Sequence, residues 1–149
     1  KAGLAKINSG LLPVGSVLLS SRAPIGYLAI AELPVAINQG LIGMVCDKRI
    51  SNVFAWLWTL ENMEAILSKA SGSTFQEISK GNFRPLPVVI PNAAILVAFD
   101  ALTKPVFQRI AQNEKESRTL AQTRDLLLPR LMSGELRVAE VAYLAERVL

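Results

Sequence analysis

Apolar and polar positions change rhythm twice along this chain. Between residues 11 and 46 the apolar runs are short and cut by prolines and glycines. "SVLLS" (16–20) follows Pro13 and Gly15, "IGYLAI" (25–30) follows Pro24, "VAI" (35–37) follows Pro34, and "LIGMVC" (41–46) follows Gly40. Runs this short and closely punctuated predict strands in a compact β-rich body. Each proline suits a strand start or edge, where no backbone donor is needed. Tyr27 falls within the second run and is expected in the core.

From residue 51 the period lengthens. In "SNVFAWLWTLENMEAILSK" (51–69), Val53, Trp56, Leu57, Leu60, Met63 and Leu67 recur at spacings of three and four. That is one face of a helix, capped by Ser51 or Asn52 and stopped at Gly72. Phe54 and Trp58 widen the apolar arc, so burial on more than one side is expected. The two tryptophans belong to this core stripe or, alternatively, offer platforms for base stacking. The stretch that follows, "ASGSTFQEISK" (70–80), is almost wholly polar, with Ser71, Ser73, Thr74 and Gln76. Such an elbow either turns the chain, its hydroxyls bonding local backbone, or presents donors and acceptors to a polar edge such as that of DNA.

"FRPLPVVIP" (83–91) holds Pro85, Pro87 and Pro91, which bar a central strand and leave an extended edge segment. Helical spacing returns in "NAAILVAFDALTK", with Asn92 as a possible cap. Pro105 then begins a second helix or kinks the first. From there a seam of alternating four and three spacing runs through Val106, Ile110, Asn113, Ser117, Leu120, Arg124, Leu127 and Leu131, apolar at both ends and polar in the middle. Pro129 disturbs its last turn and Ser133-Gly134 ends it. A helix of about 26 residues would run nearly 40 Å. On a small body that length calls for a second helix packed along it.

Composition narrows the function. The 149 residues suit one domain, or one domain with an appendage, and at 51% hydrophobic and 19% charged they can bury a core. No apolar run approaches the roughly 18–20 residues of a spanning helix. Lys1-Ala2-Gly3 shows no leader pattern, and a start without Met reads as a trimmed chain. Cys46, the single cysteine, rules out an internal disulfide and a cysteine zinc cluster; it reads as a small buried hydrophobe, and a reducing cytoplasm fits. A net charge of +4 permits nucleic-acid binding without requiring it. There are no histidines, which removes the commonest general base and metal ligand. No GxxxxGK[ST] or GxGxxG loop occurs, the acids are scattered, and Ser20-Ser21-Arg22 lacks the glycines of a nucleophile elbow. The expectation is a chain with no catalytic residue, no metal and no cofactor of its own.

Five motifs in order, "LLPVGSVLLSSRAPIGYLAI" (11–30), "INQG" (37–40), "SGSTFQEIS" (71–79), "LPVVIP" (86–91) and "RDLLLPRLMSGELRV" (124–138), carry a family resemblance. Together it resembles the carboxy-terminal half of the specificity subunit of type I restriction–modification systems. One departure is "IPNAAILVAF", where the family often continues into a Pro-Pro and Glu-Gln segment. The family's recognition domain also normally begins well before the position of Lys1. The resemblance implies an α+β fold: a β-rich target recognition domain with packed helices over 1–91, truncated on its amino-terminal side, a spacer and dimerisation helix region over 92–138 pairing as an antiparallel coiled coil, and a tail over 139–149. It implies double-stranded DNA as partner, with the helix as a ruler between two half-sites. Methyltransferase subunits, which bind S-adenosylmethionine, and a translocating endonuclease subunit would carry the catalysis.

On this reading the DNA-binding candidates are Ser20, Ser21, Arg22, Asn38, Gln39, Ser73, Thr74, Lys80 and Arg84. Arg22 pairs with guanine, grips a phosphate, or sits in a surface salt bridge. Asn38 and Gln39 read adenine edges or form a buried turn. Lys80 and Arg84 contact phosphates or belong to a solvated face. The interface candidates are Val106, Ile110, Asn113, Ser117, Leu120, Leu127 and Leu131, which would also support a homodimer. The competing function is a helix-mediated interaction scaffold with no DNA binding.

Overall fold

A computed structural model describes residues 10–46, 49–72 and 76–137. The fold is α+β: a three-stranded antiparallel sheet, a group of short helices and one long helix. The strands are β1 (Val17–Ser20), β2 (Leu28–Ile30) and β3 (Leu41–Met44), in the order β2-β1-β3. The helices are α1 (Asn52–Glu61), α2 (Met63–Ser68), α3 (Lys80–Phe83) and α4 (Ala93–Met132). The chain divides into two compact units, Lys1–Lys104 and Pro105–Leu149.

Register explains which face is buried. Leu19 lies opposite Leu28 on one side and Ile42 on the other; Val17 lies opposite Ile30 and Met44. Side chains two apart share a face, so these positions form one apolar surface. Leu19, Ile42, Ile66, Ile78 and Phe83 make the buried cluster, with Met44, Trp58 and Met63 packed around it. Full burial of side chains such as Leu19, Ile66 and Ile78 contributes about 1.5–3 kcal/mol each.

Three of the four expected strands form, trimmed to their paired cores. "VAI" does not become a strand: Val35 makes only an isolated bridge to Leu12. Tyr27 is not core. Side chains alternate along a strand, so Tyr27, whose carbonyl accepts from the Ser20 amide at 2.9 Å, faces away from core-packed Leu28, on the side of exposed Ala29, and is 70% exposed. Cys46 is half-buried.

The helix expected over 51–69 is broken at Asn62, whose Nδ2 donates to the Trp58 carbonyl at 2.8 Å. Ser51 is the cap: its Oγ accepts from the Phe54 amide at 3.2 Å. The buried face differs from the expected stripe. Val53 is buried, but Ala55, Thr59 and Ile66 join it while Leu60 and Leu67 are exposed. Small side chains let α1 approach closely, and Thr59 satisfies its hydroxyl inside the helix by donating to the Ala55 carbonyl at 2.7 Å. Phe54 and Trp58 do widen the arc, edge-on against Phe99 and Phe83. α2 ends at Ser68, ahead of Gly72, which lies beside the Ser71–Glu77 bridge with φ +108°. Residues 84–91 form no strand.

Asn92 caps α4, its Oδ1 accepting from the Ile95 amide at 3.0 Å. Pro105 neither starts nor ends a helix; α4 includes it and runs for 40 residues, with Pro129 also inside. Gly134, at φ +74°, follows the helix end, where its amide bonds the Leu131 carbonyl.

Candidate nucleic-acid interface

Main-chain bonds tie three segments together at the end of β1. The Ser21 amide donates to the Gly40 carbonyl at 2.9 Å, and the Ser21 carbonyl accepts from Ile78 at 3.0 Å. Arg22 then pairs with Glu77 in an isolated antiparallel bridge, and Glu77 pairs on with Ser71. Residues 20–22, 38–40 and 77–78 therefore meet at one place, although the sequence scatters them.

Ser20 and Ser21 are buried within this junction. The Ser20 hydroxyl donates to the Pro24 carbonyl and accepts from the Tyr27 amide, both at 2.8 Å. The Ser21 hydroxyl donates to the Gln39 carbonyl at 3.2 Å. These hydroxyls are spent on holding loops, and neither faces solvent as the sequence reading expects of a DNA contact.

Arg22 does face solvent. Its Nη1 stands 4.0 Å from Glu77 Oε2, with side chains 41% and 45% exposed. A Cβ on Gly40 would stand 3.2 Å from both Arg22 Nε and Asn38 Oδ1. The arginine thus rests on the bare α-carbon of the 38–40 turn. Asn38 Oδ1 accepts from the Gly40 amide at 2.9 Å, the local bond by which an Asn fixes a turn. Asn38 and Gln39 are exposed, which corrects the buried-turn alternative.

Lys80 opens α3, whose cap is Ser79, and Arg84 follows its last residue. Both are exposed. They border a shallow groove whose other walls include Leu12, Ile37, Gly43 and Phe83. Among the described residues neither forms an ion pair. Ser73 and Thr74 lie outside the described residues.

A family model described as the type I restriction modification DNA specificity domain matches residues 1–113. The chain belongs to that family. Its matched region takes in all the described residues of the junction above. Among its relatives is the type I restriction enzyme HindI specificity subunit of Haemophilus influenzae, 28% identical over 128 residues, covering 84% of this chain and 28% of that protein. The MjaIX specificity subunit of Methanocaldococcus jannaschii is 35% identical over 101 residues, covering 62% of this chain and 23% of that protein. The chain thus spans under a third of the length of these curated relatives.

In this specificity-domain chain, the interface candidates sit on a helix with no buried residue. Val106, Ile110 and Leu120 are 56%, 48% and 61% exposed. Asn113 and Ser117 are exposed, and Leu127 and Leu131 are half-buried. Arg124, a seam position, pairs along its own helix with Asp125 at 2.7 Å. No described helix is long and apolar enough to cross a membrane.

Two residues of the junction escape the sequence reading. Gly40 is visible there only as a turn signal. Glu77 is the single acid in "ASGSTFQEISK"; an acid inside a polar stretch of a basic chain is the one available clue.

Proposed function

We propose that this chain recognises one half of a bipartite double-stranded DNA site as part of a type I restriction–modification specificity subunit in the cytoplasm. Arg22, Asn38 and Gln39 form the reading group; Lys80 and Arg84 grip phosphates. Ser20 and Ser21 act by holding the loops that carry these residues. Residues 1–91 are the recognition domain and 92–138 the spacer region. In this reading the spacer pairs antiparallel with a second helix and docks the methyltransferase and endonuclease subunits, and those partners carry the catalysis.

One observation supports the reading most. Exposed residues from separated segments, Arg22, Asn38 and Gln39, are brought to one junction tied by main-chain bonds through Ser21, Gly40 and Ile78. A surface that reads bases needs such convergent donors and acceptors on a rigid base. The test is selection of bound duplexes from a random DNA pool at physiological salt. A recurring motif is expected; recovery of unselected sequence would count against it.

The alternative, a helix-mediated scaffold without DNA binding, draws on a different feature. α4 buries none of its residues and leaves Val106, Ile110 and Leu120 in water. An apolar stripe of that kind marks an interface. Specific DNA retention separates the two.

A further inference from the structure

We propose that Glu77 is a specificity-determining residue, a counter-ion that restrains Arg22 and penalises indiscriminate phosphate binding. This deepens the DNA reading above and rests on it.

The main chain that carries the carboxylate is held in place. The Glu77 amide donates to the Ser71 carbonyl at 2.9 Å, and the Glu77 carbonyl accepts from the Ser71 amide at 3.0 Å. The next residue, Ile78, is buried and bonded to Ser21. Glu77 is therefore held as the cross-strand neighbour of Arg22, with Oε2 4.0 Å from Nη1. On its other side Arg22 lies against Gly40 and Asn38. The guanidinium thus lies between the Glu77 carboxylate and the 38–40 turn.

Stability does not account for the pair. An ion pair with both partners this exposed contributes little to folding. What the carboxylate does change is the ligand Arg22 accepts. A phosphate brought to Arg22 also approaches Glu77 and is repelled by it. A guanine edge is neutral, offers two acceptors to the fork, and meets far less repulsion. A repulsive element placed against the wrong partner is a direct route to discrimination. Lys80 and Arg84, with no such acid partner among the described residues, keep the phosphate-gripping role.

The experiment compares the 149-residue chain with its Glu77→Gln variant on two probes: a duplex selected from the random pool and a random-sequence duplex, each over a salt series. The variant keeps the side-chain shape. Random-duplex affinity should rise a few-fold, its salt slope should steepen by about one unit, and the selected-to-random ratio should fall. Arg22→Ala/Glu77→Gln should lose the gain, since the released arginine is gone. Glu77→Asp, which keeps the charge, should retain the wild-type ratio, and Glu77→Ala repeats the comparison without the amide. If wild type binds and discriminates while Glu77→Gln and Glu77→Ala leave slope and ratio unchanged, the inference is overturned alone. If wild type binds neither duplex, the DNA reading falls and takes the inference with it.

Discussion

The hydroxyl of Ser51 donates a 2.6 Å hydrogen bond to Asp100 Oδ1 while it accepts from the Phe54 amide. One side chain thus caps α1 and fastens the opening turns of α4 to it. Lys104 Nζ, 2.8 Å from the other oxygen of Asp100, completes the node, and the Phe54–Phe99 edge contact, with ring centroids 5.8 Å apart, packs beside it.

Ser51→Ala removes both functions of that hydroxyl and should cost about 1–2 kcal/mol, read as a lower urea midpoint with an unchanged slope. Partial burial pushes the Asp100 carboxyl up, but the Lys104 and Ser51 hydrogen bonds and the Lys104 charge outweigh it and hold the carboxyl below its ordinary 3.8. Its contribution is therefore fully present above pH 3.8 and lost as the pH falls through the lower folded value. Asp100→Asn should flatten that acid limb of the stability profile.

Ser20→Ala should unfold the chain more easily without touching its salt response. The buried hydroxyl serves both the Pro24 carbonyl and the Tyr27 amide. Leaving those groups unpaired costs about 1–3 kcal/mol. Thermal melting gives the loss. A native melting temperature with weakened DNA binding would instead place Ser20 on the DNA surface.

Lys80→Ala and Arg84→Ala should each weaken binding evenly across sequences and flatten the salt slope by about one unit. Arg22→Ala should differ, losing about 1–3 kcal/mol on the selected duplex and little on random DNA. Titrations on both duplexes at several salt concentrations decide; equal losses would make Arg22 a phosphate contact.

The α4 seam gives the fourth prediction. With one such helix among its described residues, the 149-residue chain should pair with a second copy, two-fold symmetric and antiparallel, with Asn113 and Ser117 near the centre. Leu120→Glu or Leu127→Glu should break the dimer. Asn113→Leu should leave it at least as stable but less fixed in register, since a polar pair at a seam trades stability for specificity. Light scattering during gel filtration reads the state; a monomer at tens of micromolar with its helix signal intact would remove self-pairing.

Local signals carried much of the fold. Proline and glycine punctuation located β1, β2 and β3, Ser51 and Asn92 capped the helices expected of them, and Gly134 followed the end of α4. Long-range choices were not legible. The spacing of three and four points to Leu60 and Leu67 as core, yet Ala55 and Thr59 are the buried positions, because closeness of approach decides the face. Nothing local tells which face of its run Tyr27 occupies; it falls on the side opposite core-packed Leu28. The candidate site shows the same division. Arg22, Lys80 and Arg84 were visible by charge, whereas the bracket of Glu77 and Gly40 around Arg22 depends on main-chain bridges between distant segments.

Those bridges also separate what the junction needs in order to fold from what it displays. Gln39 gives the junction its carbonyl, accepting from Ser21, and Gly40 gives another; neither bond consults the Gln39 side chain. Position 39 is thus interchangeable, while Asn38 is doubly committed, to its own turn and to whatever lies outside it. A scaffold anchored through peptide groups can exchange its displayed residues at small structural cost. If the proposed DNA role holds, position 39 is where a substitution would change what the junction displays at least structural cost.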